Sequence, residues 1–485
     1  MACSFIVLLI ATNTVQAQFQ YTNINGSLTI IKYTGTTGEA DIPATINVNG
    51  NDLPVTGIGD AAFANCYSLT DVVIPSGVTN IGVSAFGYCG NLTNIFIPDG
   101  VLNIGVNAFV DCSSLQYVKI PDSVTSLGNS AFFGSGLTNI IIGTNITSIG
   151  YETFFSCSKL TRVTIPTSVT FIDQWAFAGC GLTSLTIPSG VTTIIGGAFG
   201  GCNFTNVSIP NNVTNIGAAI FNSCANLKAI TVDPSHPTLS SIDGVLFDKA
   251  QVTLIEYPAG ARNAYTIPNG VTSLAAAAFA RCTNLASVTI PNSVTNIGNA
   301  KYGGGGTDYD DGGGVFLGCT SLTNITIPDS VINIGQYAFF ISGLTEITIG
   351  NHVTSIGRDS FDGCGNLTSV FFRGNSPSPS NDTSVFSGDT LAIAYYQTNT
   401  TGWGPMFDGI PTGLWVSQPT NLPPIGLVAI GNYPVVVYPP GTNILVQMTT
   451  NLASGPWVTV TNGVFYNAIQ VTNAPRNVFF RTLQN

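Results

Sequence analysis

Ten of the eleven cysteines (all but Cys3), two histidines and a short run of aspartates are the residues of this chain best equipped for chemistry, and their spacing decides what chemistry is open to them. Cys66, Cys89, Cys112, Cys157, Cys180, Cys202, Cys224, Cys282, Cys319 and Cys364 each stand three residues after a phenylalanine, and Ser135 and Ser342 take the same place after Phe132 and Phe339. A slot shared by Cys and Ser asks for a small, weakly polar side chain that can satisfy a nearby backbone group. Equivalent positions stacked at the strand spacing of about 4.8 Å hold their Cβ atoms farther apart than the roughly 3.8 Å mean of a disulfide. A reduced packing ladder is the first reading and some disulfides the second. A metal comes last, because no second ligand accompanies each Cys. His236 lies close to Asp233, but His352 is the only other histidine, so an ordinary turn is a better reading there than a metal site. The insert Lys301–Gly314, KYGGGGTDYDDGGG, offers Asp308, Asp310 and Asp311 as hard oxygen ligands. It resembles half of a calcium-binding glycine-rich repeat in a single copy, so a flexible loop is the first reading and calcium the second. With no nucleophile–histidine grouping, no catalytic residue, cofactor or metal is assigned, and enzyme activity is the least favoured class.

The elements that place these residues repeat. Ile74 to Pro98 reads IPSGVTNIGVSAFGYCGNLTNIFIP. Its Ile-Pro mark returns at Pro98, Pro121, Pro166, Pro188, Pro210, Pro268, Pro291 and Pro328, with Gly143, Asp233, Gly350 and Arg373 as variants that keep the phase, and the period is 22 or 23 residues wherever no insert intervenes. Such a period predicts one stacked coil per repeat, hence a solenoid. In each coil the side chains of a short strand alternate: Leu92, Ile95 and Ile97 point inward, Asn94 and Phe96 outward. Pro98 ends the strand because it has no N–H for a continuing ladder. Gly105 marks a turn needing positive φ or close backbone approach. Ala108-Phe109 reads as a short helical turn whose ring plugs the core. In FIDQWAF, Asp173 and Trp175 replace Gly and a small residue. Asp tolerates positive φ, so local repacking is expected there.

The strand L-x-x-I-x-I followed by I-P-x-x-V-T-x-I-G-x-x-A-F-x-x-C resembles the BspA-like leucine-rich repeat family over about Ile58 to Arg373. The resemblance implies a curved solenoid. It also implies secreted or surface-exposed proteins that adhere to other proteins or cells, with no catalytic residues in the pattern.

The expected organisation is a signal peptide at 1–17, an N-terminal β cap at 18–57, leucine-rich repeats at 58–373, a C-terminal cap at 374–418 and a small β-sandwich-like module at 419–485. The signal rests on an apolar run from Phe5 to Ala11 and the small-residue end Val15-Gln16-Ala17. That run is too short to span a bilayer, and no transmembrane helix is expected after its removal. The fold class is therefore a β-rich leucine-rich repeat solenoid of 22–23-residue coils with short helical turns, plus the C-terminal module. The coil after Leu227 is longer, and Asp243-Gly244 suggests an added hairpin there.

Charged residues make up only 8% of 485 residues, against roughly 25% in ordinary domains. Neutral Thr, Asn and Ser must cover the surface, which suits an extracellular location. The net charge is −11, and the 13 Lys and Arg form no stripe, which excludes a nucleic-acid partner. Specificity can sit only in the outward strand positions. From Thr164 to Thr348 the second outward column is Thr or Ser, whereas nearer the N-terminus it carries Val73, Phe96, Lys119 and Ile141. With Tyr117 and Arg162 these form the expected partner-binding patch, since aromatic residues and Arg are common binding anchors. β propensity alone is the competing explanation. The functional reading is a non-enzymatic, monomeric adhesion protein that recognises an extracellular protein or polysaccharide. The alternative is a self-assembling surface-layer component.

Overall fold

The computed structural model describes residues 18–299, 314–378 and 384–415, and the backbone of the strands between 426 and 484. The expected signal peptide and most of the glycine-rich insert, with Asp308, Asp310 and Asp311, lie outside the described residues. The chain divides into two compact units, one built from residues 18–262 and 275–282, the other from 263–274, 283–299 and the described residues after 313.

In the first unit, strands Glu39–Asp41, Asp71–Val73, Asn94–Phe96, Tyr117–Lys119 and Asn139–Ile141 pair in parallel, one per coil. A second parallel ladder joins Asn51–Ile58, Asn80–Ile81, Asn103–Ile104 and Ser126–Leu127. Between them runs the core: Leu92, Ile95, Ile97, Val101, Ile104 and Phe109 are all buried. The phenylalanines stack directly, with centroids 5.3 Å apart for Phe86–Phe109 and 5.1 Å for Phe109–Phe132. Low charge is tolerated because neutral side chains serve the ladder. Thr93 gives both its amide and its hydroxyl to the Thr70 carbonyl, and Thr170 does the same with Thr147.

No helix occurs among the described residues, which corrects the expected helical turns. The segment around each Phe does close i→i+3 bonds, such as Val110 N to Asn107 O at 3.1 Å. However, the residues two before and two after the Phe are left-handed: Asn107 and Asp111 have φ of 57° and 53°, and Ser84 and Tyr88 repeat this around Phe86. Alternating hand prevents a helix from propagating. It also frees every second amide to leave the coil. Asn107, Phe109 and Asp111 donate to the carbonyls of Asn129, Ala131 and Phe133 in the next coil. Gly105 is not left-handed. A Cβ there would lie 2.5–2.7 Å from the backbone of Gly82 and Val83, so close approach is what excludes a side chain. Similarly, the left-handed residue of FIDQWAF is Trp175, with φ 55°, and not Asp173, which accepts the Gln174 amide at 2.8 Å.

The long coil after Leu227 adds the antiparallel strands Leu239–Ile242, Val245–Asp248 and Thr253–Glu256. Its rung is Tyr257, stacked 5.2 Å from Phe279. Phe199 N–H donates to the carbonyl of Ile220, the residue before the next rung. Phe221 N–H departs from this pattern and donates to the carboxyl Oε1 of Glu256 at 2.9 Å.

The second unit repeats the plan, stacking Phe316, Phe339, Phe361 and Phe386 beside the parallel strands Asn324–Thr326, Glu346–Ile349, Ser369–Phe372, Ile393–Tyr396 and Ile410–Leu414. A separate β-sandwich is not shown by the described strands after residue 415, which fall in two sheets. Gly426–Ile430 pairs edge-on with Ile410–Leu414 and continues that sheet through Tyr433–Val437 to Ala468–Gln470. Thr442–Thr449 pairs on either side with Val458–Phe465 and Phe479–Gln484.

Candidate functional site

The cysteine ladder is structural. All ten thiols are free. The Sγ atoms of Cys89, Cys112, Cys157, Cys180, Cys202 and Cys224 lie 3.0–3.3 Å from the carbonyls of Phe63, Phe86, Phe132, Phe154, Phe177 and Phe199, one coil back. Burial pushes the thiols of Cys89, Cys202 and Cys364 up to about 12, which leaves them protonated and unreactive at neutral pH. His236 is equally committed. It is buried, with Nε2 2.8 Å from the Val213 carbonyl and Nδ1 accepting from the amides of Thr238 and Leu239. Asp233 caps its own turn by accepting from the amide and hydroxyl of Ser235.

Two buried carboxyls stand outside the sequence-based expectations. Glu256 replaces a ladder carbonyl at the Phe221 amide. Asp389 follows Phe386 by three residues and therefore fills the cysteine slot of its coil. Burial, with repulsion from Asp362, pushes it up to about 7. The spacing to Phe386 was the signal for Asp389, obscured because Cys had become Asp.

The outward ribbon is where side chains of varied type are left to solvent. Register places Val73 beside Phe96, Tyr117 beside Asn94 and Asn139, and Lys119 beside Ile141. Val73, Phe96, Tyr117 and Ile141 are 59%, 66%, 41% and 46% exposed. A depression of about 390 Å³ lies against Val73, Phe96, Tyr117 and Lys119. Ile141 lies on the adjoining strand. Exposed Arg162 lies beyond it in a coil that holds only an isolated bridge from Ile141 to Thr164 instead of a full strand. The structure adds what the sequence did not disclose. The strand Glu39–Asp41 pairs in register with Asp71–Val73, so Glu39, Asp41 and Asp71 place three exposed carboxylates at one end of the ribbon. Lys119 and Arg162 lie toward the other. The segment 18–57 lacks the Phe and Cys marks, so nothing in its sequence set Glu39 in phase.

This geometry has the form of a surface for docking and lacks the convergent nucleophile, base and oxyanion donors of a reaction centre. Among the described residues no three His, Cys, Asp or Glu gather as metal ligands. The repeat itself decides the family: the BspA type leucine rich repeat region matches residues 45–161, 147–265, 262–303 and 312–404. The chain belongs to the BspA-type leucine-rich repeat family. Among solved structures, a leucine-rich cell-surface protein from Faecalibacterium prausnitzii is 30% identical with a TM-score of 0.53, over 76% of this chain and 95% of that one. A leucine-rich repeat protein from Bacteroides ovatus is 24% identical (TM-score 0.39, 73% and 93% covered). The pneumococcal vaccine antigen PcpA is 19% identical (TM-score 0.44, 82% and 95% covered). No curated protein matches. In this BspA-type chain the fixed positions are those that build the coil, and the variable ones are those of the ribbon. No described helix is long and apolar enough to cross a membrane.

Proposed function

We propose that this BspA-type protein is a non-enzymatic, extracellular or cell-surface binding protein that captures a protein partner on the ribbon formed by Val73, Phe96, Tyr117, Lys119, Ile141 and Arg162. The observation that carries this reading is the outward column in which Phe96, two-thirds exposed, stands between Val73 and Lys119 over a shallow depression. A solvated strand face without a partner role would carry Thr or Ser there, as the coils from Thr164 to Thr348 do. The ribbon runs from carboxylates at Glu39, Asp41 and Asp71 through apolar Val73 and Phe96 to Lys119 and Arg162. That polarity favours a protein segment of opposite charge order over a neutral polysaccharide, and gives orientation as well as affinity. The cell-surface description of the F. prausnitzii relative and the apolar N-terminal run support the location. The test is a host-protein array probed with the protein and with the double variant Phe96→Ser, Tyr117→Ser. Both side chains are exposed, so the melting temperature should hold while capture falls. Capture unchanged in the double variant removes the ribbon from the account.

A further inference from the structure

The ribbon has a fixed pitch, and that pitch selects among the shapes a protein segment can take. Its coils stack at the strand spacing of about 4.8 Å, so equivalent side chains two coils apart stand about 9.6 Å from one another. Register puts Phe96 and Ile141 two coils apart in one outward column, with Asp41 two coils before Phe96. The adjoining column carries Asn94, Tyr117 and Asn139 on successive coils. All of these side chains are exposed.

Three regular conformations can be laid along this face. A β-strand repeats its side chains on one face about every 6.7 Å and matches neither one coil nor two. Strand addition also needs an open edge, whereas Asp71–Val73, Asn94–Phe96 and Tyr117–Lys119 are each paired on both sides. An α-helix advances about 5.4 Å per turn, so between Asp41 and Ile141 it runs ahead of the coils by about 2.4 Å. A polyproline II helix rises about 3.1 Å per residue with a threefold repeat, so every third side chain returns after about 9.3 Å. Over the same interval it departs from the coils by only about 0.6 Å.

The side chains suit the same shape. A polyproline II segment makes no internal hydrogen bonds, which leaves its carbonyls in need of donors. The Tyr117 hydroxyl and the Asn94 and Asn139 amides form a row of donors beside the apolar column. Phe96 offers an aromatic face to a proline ring, next to the depression of about 390 Å³, and Ile141 offers an apolar seat for a second. Aromatic-lined surfaces take such segments well because the segment is already ordered before it binds. The carboxylates of Glu39, Asp41 and Asp71 lie at one end and Lys119 and Arg162 toward the other, which sets the direction of the chain.

We propose that the segment captured on the ribbon is a proline-rich stretch in polyproline II form. A basic residue faces Asp41, a proline three residues on packs against Phe96, a second proline three further packs against Ile141, and an acidic residue follows toward Arg162. This assignment rests on the ribbon being the binding surface proposed above.

The experiment is fluorescence anisotropy of the full chain with the labelled peptides RPAPPAPPE, its charge-reversed form EPAPPAPPR and the proline-free RTVTVTVTE. RPAPPAPPE should bind, EPAPPAPPR should be weaker by about fivefold or more, and RTVTVTVTE by about tenfold or more. The double variant Phe96→Ser, Tyr117→Ser should weaken RPAPPAPPE by about tenfold or more. Glu39→Gln with Asp41→Asn should bring the two proline peptides within about twofold of each other. No binding of RPAPPAPPE, equal binding of all three peptides or of the two charge orders in the wild type, or full binding in Phe96→Ser, Tyr117→Ser overturns the proposal. Array capture that is lost in that double variant, when RPAPPAPPE does not bind, keeps the ribbon and removes the polyproline assignment alone.

Discussion

Replacing Glu256 by Gln should flatten the dependence of stability on pH. The Glu256 carboxyl is wholly buried, and its Oε1 stands in for a ladder carbonyl by accepting the Phe221 amide at 2.9 Å. Its Oε2 has no hydrogen-bond partner. Burial raises the group from its ordinary 4.5 to about 8. A raised value means that the folded state holds a proton the unfolded chain releases. The stability contributed is therefore full below pH 4.5 and is lost as pH rises toward 8. At 1.36 kcal/mol per pH unit, the loss between pH 5 and pH 8.5 is about 4 kcal/mol, an upper bound because the packing around an ionised carboxyl can relax or admit water. Gln keeps the acceptor oxygen, puts an amide where the protonated oxygen stood, and does not titrate. Urea melts of both proteins at pH 5 and pH 8.5 measure this. The wild type should lose several kcal/mol more than Glu256→Gln across the interval. Equal losses in the two proteins, within about 0.5 kcal/mol, would refute the claim that an uncharged carboxyl completes the ladder.

Other expectations rest on the same geometry. Phe109→Ala, which removes a wholly buried rung between Phe86 and Phe132, should cost about 3–5 kcal/mol in a urea melt. Cys112→Ser should be milder than Cys112→Val by about 1 kcal/mol, because Ser can still donate to the Phe86 carbonyl and the slot already holds Ser135. Folded protein treated with a thiol-modifying reagent should show Cys66, the one ladder cysteine that is only half-buried, reacting ahead of the other nine, which wait for unfolding. Mass mapping of the labelled peptides reads this directly.

The repeat was legible because each fixed slot answers one physical demand: Phe fills the core, Pro ends the strand, and Cys caps the preceding carbonyl. The turn around Phe was misread because Ala-Phe favours a helix locally, whereas the left-handed residues beside it are Asn107, Asp111, Tyr88 and Trp175, a set with no shared side-chain signature. Tyr257 and Phe386 were missed as rungs for a related reason. Their coils keep the ring but lose the flanking marks, with Glu256 in place of Ala and Asp389 in place of Cys. On the ribbon, alternation placed Val73, Phe96, Tyr117 and Ile141 outward as observed. The acidic end at Glu39 and Asp41 needed the register of a strand outside the repeat pattern, which only the three-dimensional pairing supplies.

The central claim is that the exposed apolar and charged ribbon, and not the fixed coil, carries recognition. The most direct measurement is the affinity for a partner captured on the array, compared between the wild type and Phe96→Ser, Tyr117→Ser with Thr186→Ser as a control on the Thr-lined coils. Loss of two such exposed anchors should weaken binding by about 30-fold or more, with the control unchanged and all melting temperatures alike. Equal affinity for wild type and double variant would contradict it.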